Sequence, residues 1–449
     1  MSARLRLAWI GDDFTGASDT LATLATGGAR ALLCLDVPTP ERLAAAGPLD
    51  AIGVATAVRS MDPAAMREVL GPIGDGLARL GAPVLHYKVC STWDSAPGVG
   101  NVAAAVRALW RPGFAPWVPL VGGQPSLGRW VADGRLFAQA GPVGPVYPID
   151  RHPTMSRHPV TPMGEPRLAV HLAAQGLAAV ASVGHATLDA GEAAIDAALA
   201  PALGPASDAP PVPRAVLLDA LAGRHLAAIG AAIDRHAHGR TVLAVGASSV
   251  AQAMLARWRA TGAIAAEVDP AVARAAVAPA AGPVLVLAGS LSPLSARQVA
   301  RARAFERIVL DAGRLAAGDA ACAESTADAI AARLAAGAHV LAGTALAGAA
   351  PRGADPALAP ACGALLAAVL RRVRVARVGV VGGDTSSHAV QALGPWALGW
   401  VGRVGGSSPV VRAHADDPSV DGLELMLKGG QMGEEDVLDR LVAGDAQRG

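Results

Sequence analysis

Two adjacent carboxylates follow the first apolar run of the chain. Asp12 and Asp13 stand between the run Leu5–Ile10 and the Ala/Leu segment Thr15–Thr26. In an open parallel sheet, ligands bind outside the carboxyl ends of the strands, so a carboxylate there can hold a hydroxyl or accept its proton. The alternative is that Asp13 or Thr15 only caps the following helix. One side chain suffices as a cap, so the second carboxylate predicts a further role.

A lysine and several short polar side chains follow another apolar run, Val84–Tyr87. Lys88 carries a point charge that suits a carboxylate or a phosphate. The short hydrogen-bonding side chains that come next are Ser91, Thr92, Asp94 and Ser95. Sugar hydroxyls need donors and acceptors in such a fixed array, although a polar turn capped by Ser95 is the alternative. Arg59 follows the run Ala51–Ala55 in the same way, but a solvated arginine is the more common outcome for a single such residue.

A glycine pair with short polar residues follows a strand in the last quarter of the chain. The strand is predicted at Gly379–Val381. The residues after it are Gly382, Gly383, Asp384, Thr385 and Ser386. Glycines let backbone approach a phosphate, and helix N-terminal amides then bind it. Since the stretch is neither a Walker A loop nor GxGxxG, an ordinary strand–helix turn is the alternative.

Two weaker glycine motifs have a similar form. Gly289 and Ser290 end the run Val284–Ala288, and Lys428 precedes the glycine run that ends at Gly433. The lysine and the glycines could meet nucleotide phosphates, but a surface turn would use the same residues.

The composition excludes several classes of function. A chain of 449 residues suggests two to four domains at ~100–200 residues each. Aromatic residues make up only 3% and the net charge is +1, so neither a nucleic-acid nor a membrane partner is expected. Two uncharged stretches of spanning length, Leu168–Leu188 and Leu334–Pro351, are Ala/Gly-rich and are interpreted as segments of a soluble protein. The four cysteines lack CxxC spacing, which argues against a zinc site or a disulfide framework and favours the cytoplasm.

Short apolar runs alternate with longer Ala/Leu segments along most of the chain. Such runs are typical of strands buried on both faces, and their alternation with helices predicts parallel sheets. The Pro-containing stretch Ala263–Pro283 interrupts the alternation and is interpreted as a domain connection. We therefore predict an α/β protein of two domains, with mainly parallel sheets flanked by helices. The predicted boundaries are 1–262 for the N-terminal domain, 263–283 for the linker and 284–449 for the C-terminal domain.

In their order along the chain, these motifs resemble those of the four-carbon acid sugar kinase family. This family includes 3-oxo-tetronate, threonate, erythronate and 3-oxo-isoapionate kinases. Ile10–Asp19 resembles its substrate-domain opening, and Lys88–Ser95 resembles its KxCSTxDS signature. His158–Met163 is similar to a stretch of the same oxo-acid branch. The stretches that resemble its nucleotide domain are Gly289-Ser290 with Gln298, Gly382–Ser386 and Lys428–Gly433.

The resemblance implies an N-terminal domain for a sugar acid, a C-terminal domain for a nucleotide and an active site in the cleft between them. It implies ATP and Mg²⁺ as cofactors and a small-molecule sugar acid as substrate, and it leaves a homodimer open. By position, the residues expected in the substrate pocket are Asp12, Asp13, Arg59, Lys88, Ser91, Thr92 and Asp94. The residues expected to contact ATP are Ser290, Gly383, Asp384, Thr385, Ser386 and Gly430.

Two stretches depart from the family pattern. Gln431 and Met432 stand where many relatives have Asn and Phe, in KSGNFG. Val121–Arg129 differs from the PxxNGR that is common in the tetronate branch. Because this stretch follows a substrate-domain strand, the departure favours a branched or otherwise altered sugar acid.

The resulting hypothesis is in-line transfer of the γ-phosphoryl group from Mg-ATP to a hydroxyl of the sugar acid. Asp12 would orient or deprotonate that hydroxyl, and Lys88 and Arg59 would neutralise the substrate carboxylate. A non-catalytic sugar-acid sensor is one alternative. A sugar-acid oxidoreductase or decarboxylase is another, although no dinucleotide glycine fingerprint follows the first strand.

Overall fold

The fold is given by a computed structural model. It describes residues 5–141, 144–158, 160–177, 179–203, 213–269, 276–289, 292–344, 355, 357–405, 408–430 and 432–445. The chain divides into two compact units, Met1–Asp269 and Pro270–Gly449. The predicted linker 263–283 stays a prediction, because 270–275 lie outside the described residues.

The N-terminal unit is built around a parallel sheet whose strands are short apolar runs. The strands of the whole unit, in chain order, are β1 (Leu7–Gly11), β2 (Ala31–Cys34), β3 (Ala51–Ala55), β4 (Val84–Lys88), β5 (Trp117–Val121), β6 (Gly123–Gln124), β7 (Arg129–Ala132), β8 (Arg135–Gln139), β9 (Val146–Pro148), β10 (Ala181–Val183), β11 (Arg214–Leu218) and β12 (Val242–Gly246). The parallel sheet has the order β10-β11-β5-β12-β4-β1-β3-β2. Because β1, β4, β5 and β12 are buried over their whole length, the sheet is covered on both faces.

Helices connect these strands. They are α1 (Phe14–Thr26), α2 (Pro40–Ala46), α3 (Pro63–Arg79), α4 (Val102–Leu109), α5 (Leu168–Ala174), α6 (His185–Asp189), α7 (Glu192–Leu203), α8 (Gly223–Arg235) and α9 (Ser249–Ala260). Several begin at a side-chain cap that satisfies an otherwise unpaired backbone N–H. Asp13 caps α1, Asp62 caps α3 and Asn101 caps α4.

A small antiparallel sheet of β6, β7, β8 and β9 follows β5. The turn between β7 and β8 is Asp133-Gly134, with φ of 48° and 70°. Both values lie in the left-handed region that a two-residue hairpin turn requires, and Asp-Gly is a preferred pair for it. This sheet was not predicted, because β7 and β8 are only partly buried and do not form continuous apolar runs.

The C-terminal unit is also built around short strands. Its strands are β13 (Val284–Ala288), β14 (Glu306–Val309), β15 (Val340–Gly343), β16 (Arg377–Val381), β17 (Ala397–Val404), β18 (Ser408–His414) and β19 (Glu424–Lys428). Their order is β17-β18-β19-β16-β13-β15-β14, and β18 runs antiparallel to both of its neighbours. Its helices are α10 (Pro293–Arg301), α11 (Ala312–Ala316), α12 (Ala320–Ala335), α13 (Leu358–Leu370), α14 (Gly383–Leu393) and α15 (Val437–Ala443).

A core cluster packs against the strands of the C-terminal unit. Val286 and Met426 on the strands pack in it with Val299 of α10 and Leu438 and Leu441 of α15. The cluster therefore fixes α10 and α15 over the same strands whose carboxyl ends carry the glycine motifs.

The predicted fold class, an α/β protein with mainly parallel sheets flanked by helices, is confirmed. Within the described part of the chain, no helix combines the length and the apolar character that crossing a membrane would require.

Candidate functional site

The predicted polar residues of the N-terminal unit meet at the carboxyl ends of adjacent strands. Gly11, the last residue of β1, lies opposite Ala55 of β3 and opposite Lys88 of β4. Lys88 in turn lies opposite Gly246 of β12. The loops after these strands therefore leave one edge of the sheet side by side, which is where open parallel sheets bind ligands.

Asp12 and Arg59 form a bidentate ion pair at this edge. Arg59 Nε donates to Asp12 Oδ2 at 2.9 Å, and Nη2 donates to Oδ1 at 2.7 Å. The Arg59 backbone N–H also donates to the Asp12 carbonyl at 2.9 Å. Asp12 is only 4% exposed, so its carboxylate is held by this fork rather than by water.

Arg59 also reaches the second carboxylate. Its Nη1 lies 2.9 Å from Asp13 Oδ2, while Asp13 Oδ1 accepts the Gly16 N–H at 2.6 Å. Asp13 thus caps α1 and pairs with Arg59 at once. The alternative interpretation of Asp13 as a cap is correct but incomplete, and Arg59 is not a solvated side chain.

Burial and charge act in opposite directions on this ion pair. Burial raises the pKa of the Asp12 carboxyl above its ordinary value, while the guanidinium of Arg59 opposes the rise. Burial alone would lower the pKa of Arg59, but its interactions with Asp12, Cys90 and Asp13 together outweigh burial and raise that pKa. Arg59 therefore stays charged, and Asp12 is a stronger proton acceptor than an exposed aspartate.

Lys88 lies buried beside these carboxylates, with 4% of the residue exposed. A Cβ placed on Gly16 would lie 2.4 Å from Lys88 Nζ and 2.5 Å from Asp13 Oδ1. Only a glycine at this position lets the ammonium group and the start of α1 come so close. The structure therefore brings Lys88 into the same cluster as Asp12, Asp13 and Arg59.

The loop after β4 carries a chain of hydrogen bonds. Cys90 Sγ lies 2.9 Å from Thr92 Oγ1, and the Thr92 hydroxyl donates to Asp94 Oδ1. Burial raises the pKa of the Cys90 thiol to about 11, so it stays protonated at neutral pH. Thr92 and Asp94 are buried, whereas Ser91 is half-buried. Thr92 and Asp94 are therefore partly committed to each other.

Ser95 anchors the end of this loop. Its Oγ lies 2.9 Å from His171 Nε2 of α5 and accepts the Gln175 Nε2–H at 2.8 Å. Ser95 therefore positions the loop, and the side chains before it remain the candidates for substrate contacts.

In the C-terminal unit, the glycine pair lies at the end of β16. Gly382 has φ of 130° and donates its N–H to the Lys428 carbonyl at 2.9 Å. Gly383 begins α14, so this motif lies at the N-terminus of a helix, where backbone N–H groups can bind anions. Thr385 and Ser386 are each 5% exposed, and of Asp384 only the backbone is described.

Gly289 brings the end of β13 against the same helix. A Cβ at Gly289 would lie 2.2 Å from Thr385 Oγ1. The loop after β13 and the N-terminus of α14 are therefore in contact through a glycine. Ser290, a predicted ATP contact, lies outside the described residues.

Helix α10 holds the glycine loop after β19. The Ser292 hydroxyl donates to the Gly430 carbonyl, and so does that of Ser295 at 3.0 Å. Gln298 Nε2 donates to the Met432 and Glu434 carbonyls at 3.0 and 2.9 Å. The structure thus joins the glycine motifs of β13 and β19, as their shared resemblance to a nucleotide domain implies.

Lys428 is the residue of this region that was singled out but not assigned to the site. It is 1% exposed, and its Nζ has no hydrogen-bond partner among the described residues. Burial lowers the pKa of its ammonium group to about 8. A buried ammonium without a partner is costly, so the position favours a bound anion.

The rarity of lysine in the sequence is the signal that could have marked Lys428 as a candidate site residue. The chain contains two lysines, Lys88 and Lys428, and every other strongly basic side chain is an arginine. Both lysines are buried and end a strand that has a parallel neighbour, β4 and β19. Surface charge in this chain is therefore carried by arginine, and lysine is confined to two strand ends.

The two units match two domain types of known proteins. Residues 7–254 match the model of a sugar-binding N-terminal domain, and residues 285–438 match that of a nucleotide-binding C-terminal domain. The chain is 36% identical to the 3-oxo-isoapionate kinase of Paraburkholderia graminis, over 96% of this chain and 93% of that protein. The chain belongs to the four-carbon acid sugar kinase family.

A further relative of the chain supports its membership of the four-carbon acid sugar kinase family. The 3-oxo-tetronate kinase of Methylobacterium radiotolerans is 34% identical, over 97% of this chain and 98% of that protein. A crystal structure described as that of a putative tRNA synthase from Salmonella typhimurium LT2 shares the fold, with a TM-score of 0.78 at 26% identity over 97% of this chain and 98% of that one. The predicted family is confirmed.

Three further polar residues interact with aspartates of the Ile10–Asp19 motif and were not predicted as site residues. Tyr87 is buried and interacts electrostatically with Asp12, and burial raises the pKa of its hydroxyl. Ser248 donates to Asp19 Oδ2 at 2.5 Å. Gln124 Nε2 lies 3.5 Å from the same oxygen. These contacts depend on the order of the strands in the sheet, so the spacing of the residues in the sequence does not reveal them.

One further group of ligand-type residues is brought together by the fold. His185 Nδ1 lies 3.7 Å from Asp133 Oδ1 and 3.6 Å from Asp219 Oδ2. The buried Asp219 carboxylate accepts backbone N–H groups of Asp133, Gly134 and His185 at 2.6, 3.0 and 3.1 Å. These bonds explain the grouping, because Asp219 anchors the β7–β8 turn and the start of α6.

Proposed function

We propose that the protein transfers the γ-phosphoryl group of ATP to a hydroxyl of a small sugar acid. The observation that supports it most is the buried Asp12 carboxylate, held by Arg59 at the end of β1 beside Lys88. A carboxylate fixed in this way can orient and deprotonate a hydroxyl, and the adjacent cation can balance an acid group. Membership of a family of kinases favours this function over a sensor, an oxidoreductase or a decarboxylase.

Among the acids, 3-oxo-isoapionate is our first candidate. The relative that acts on this compound by its name is 36% identical over nearly the whole chain. The departure at Val121–Arg129 from the tetronate pattern points in the same direction. 3-oxo-tetronate, threonate and erythronate are the further candidates.

Asp12 is proposed as the group that accepts the proton of the attacking hydroxyl. Burial raises its pKa, which strengthens it as a base, and Arg59 fixes both of its oxygens. The hydroxyl oxygen would form a bond to the γ-phosphorus while the bond from that phosphorus to the β,γ-bridging oxygen breaks, so that ADP leaves and the hydroxyl proton passes to Asp12. Positioning and charge stabilisation then supply most of the rate enhancement.

The contacts revise the role we assign to Arg59. Its Nε, Nη1 and Nη2 are engaged by Asp12 and Asp13, which leaves little donor capacity for a substrate carboxylate. In this proposal Arg59 positions Asp12, and Lys88 supplies positive charge to the substrate. Asp13, Ser91, Thr92 and Asp94 remain proposed substrate contacts.

The C-terminal unit has features that fit a polyphosphate. Lys428 Nζ is buried without a partner among the described residues, and no described atom beyond its neighbours in the chain lies within 4 Å of the point where a Cβ on Gly383 would stand, so the start of α14 is open there. The residues proposed to hold ATP are Ser290, Gly383, Asp384, Thr385, Ser386 and Gly430, with Lys428 added. ATP supplies the phosphoryl group when bound. Mg²⁺ is proposed to neutralise the phosphates with few protein ligands.

The test is an assay with Mg-ATP and a panel of the four acids, reading ADP release and product mass together. We expect one acid to gain one phosphate. If no acid gains a phosphate while ATP still stabilises the protein against thermal unfolding, the proposed activity is wrong and the nucleotide site is kept.

Two further proposals concern the setting of the enzyme. A cytoplasmic location is supported by the cysteine usage of the chain, since cysteines without paired spacing suit a reducing compartment. A homodimer stays a prediction, which light scattering on the purified protein tests directly.

A further inference from the structure

We propose that Arg129 binds the carboxylate of the sugar acid and so determines the preference of the enzyme for acids over neutral sugars. This inference rests on the proposed function and deepens it. It concerns a residue outside the cluster of Asp12, Asp13, Arg59 and Lys88.

The cluster itself is short of free positive charge. Asp12 and Asp13 both pair with Arg59, which leaves Lys88 as the uncommitted cation among these four residues. Lys88 is also close to the Asp13 carboxylate, across Gly16. A substrate that brings in another carboxylate needs a further cation near this edge of the sheet.

Arg129 is placed to provide that cation. It begins β7 and lies directly opposite Gln124 of β6 in the antiparallel pair. Residues opposite each other in an antiparallel pair project from the same face. Gln124 reaches Asp19 on α1, the helix that Asp13 caps. The hairpin therefore presents Arg129 on the face that is turned toward the helix of the carboxylate cluster.

An electrostatic interaction also links Arg129 to the loop after β4. Its guanidinium interacts electrostatically with Cys90, and Arg59 and Lys88 interact with the same thiol. Burial lowers the pKa of Arg129. Arg59 pairs with two carboxylates, whereas Arg129, like Lys88, forms no ion pair with a carboxylate among the described residues.

The guanidinium of Arg129 is held at Nη1 and unpaired at Nε among the described residues. Nη1 donates to the Leu127 and Gly128 carbonyls at 2.6 and 3.1 Å, which orients the plane. Nε is buried and has no hydrogen-bond partner among the described residues. A buried N–H without a partner is unfavourable, and a carboxylate accepts well from the paired N–H groups of such a planar fork. Arginine rather than lysine suits this two-point contact.

The alternative role is structural: Arg129 would only close the turn Pro125–Gly128 through its carbonyl contacts. The two roles differ in what a substitution changes. A structural arginine affects stability and all substrates alike, whereas a carboxylate ligand affects only substrates that carry the acid group.

The experiment compares Arg129→Met and Arg129→Lys with the parent and with Arg135→Met, an exposed arginine on the neighbouring strand β8. Each enzyme is assayed with the acid found in the panel, with its neutral polyol analogue, and with ATP as the varied substrate. We expect Arg129→Met to raise KM for the acid about 10- to 100-fold, to leave KM for the analogue and for ATP within about twofold, and to be partly rescued by Arg129→Lys. Arg135→Met should resemble the parent.

The inference is overturned if Arg129→Met changes KM for the acid less than about threefold, or changes acid and analogue by the same factor. If Arg129→Met does not fold, Arg129→Lys and calorimetric binding of the acid carry the same comparison. If the parent phosphorylates no acid, the proposed function fails by itself. Calorimetry of the acid with parent and Arg129→Met then decides on Arg129 separately, since weaker binding to the variant supports it and equal binding overturns it.

Discussion

At the scale of single residues, Asp12 is the side chain whose replacement we expect to affect catalysis most. Both of its oxygens accept N–H groups of one arginine, and the residue is almost fully buried. Such an arrangement fixes a proton acceptor in one orientation, and the adjacent guanidinium favours its ionised form against the effect of burial. The neighbouring carboxylate, Asp13, is partly used as the cap of α1. The two acids therefore have different roles although they are adjacent in sequence.

Replacing Asp12 with Asn tests that role. The amide keeps the shape but cannot accept the proton, so we expect kcat to fall about 10²- to 10⁴-fold with a smaller change in KM for the acid. Steady-state kinetics on the reactive acid measure this. Asp36→Asn, at an exposed carboxyl, is the matched control. A turnover within a few fold of the parent would show that Asp12 is not the proton acceptor.

At the scale of elements, strand ends and helix starts make the two sites. β1 and β4 deliver Asp12 and Lys88 to one edge, and β13, β16 and β19 deliver the glycine motifs to another. Glycine at these junctions allows approaches that a side chain would block. Gly289 is the clearest case, because its backbone lies against Thr385.

Replacing Gly289 with Ala should push β13 and α14 apart. The added Cβ would lie 2.2 Å from Thr385 Oγ1, and neither a strand end nor a helix start yields easily. We expect a loss of about 1–3 kcal/mol of stability and weaker ATP binding. Thermal unfolding with and without ATP measures both. Gly282→Ala, whose Cβ would meet Ala376 at an ordinary 3.6 Å, is the control. Equal stability of the two variants would contradict the predicted close approach.

Replacing Lys428 with Met should weaken ATP binding at neutral pH. The pKa of this lysine is lowered to about 8, and a bound phosphate would raise it. The charged form is lost as pH rises through about 8, so the affinity of the parent for ATP should fall above that pH, by up to about tenfold per unit. The variant should lack this dependence. Calorimetry from pH 6.5 to 9.5 measures it, with Arg412→Met as a surface control. A parent affinity that is constant over this range would argue against a phosphate on Lys428.

At the scale of the whole molecule, each unit carries one buried lysine at the end of one strand. We propose that the N-terminal unit takes the acid and the C-terminal unit takes the nucleotide, in line with the domain types they match. A chain with only two lysines makes this division directly measurable.

Amine labelling followed by mass spectrometry should separate the two sites. We expect ATP to slow the labelling of Lys428 and the sugar acid to slow that of Lys88, because each ligand covers the adjacent strand end. The N-terminal amine of the same sample is the internal control. Protection of Lys88 by ATP alone, with Lys428 unchanged, would reverse the assignment of the two units.

Much of this protein could be predicted from its sequence. Buried parallel strands appear as short apolar runs, so Ala51–Ala55 and Val284–Ala288 were predicted with the bounds the structure gives. The small antiparallel sheet β6–β9 escaped prediction, because its signal lies in one Asp-Gly turn. For the site, the positions of Asp12 and Lys88 after strands followed from sequence, whereas the pairing of Arg59 with Asp12 did not.

The sequence by itself determined the α/β class, the family and the strand ends at which chemistry is expected, because these depend on local runs and short motifs. The tertiary structure alone decided which side chains meet. Arg59 and Asp12 are 47 positions apart and pair because β3 and β1 are neighbours in the sheet. Arg129 likewise lies opposite Gln124 only because β6 and β7 form an antiparallel pair. Strand order is set by the packing of the whole unit, so the partners of a charge cannot be derived from its place in the chain.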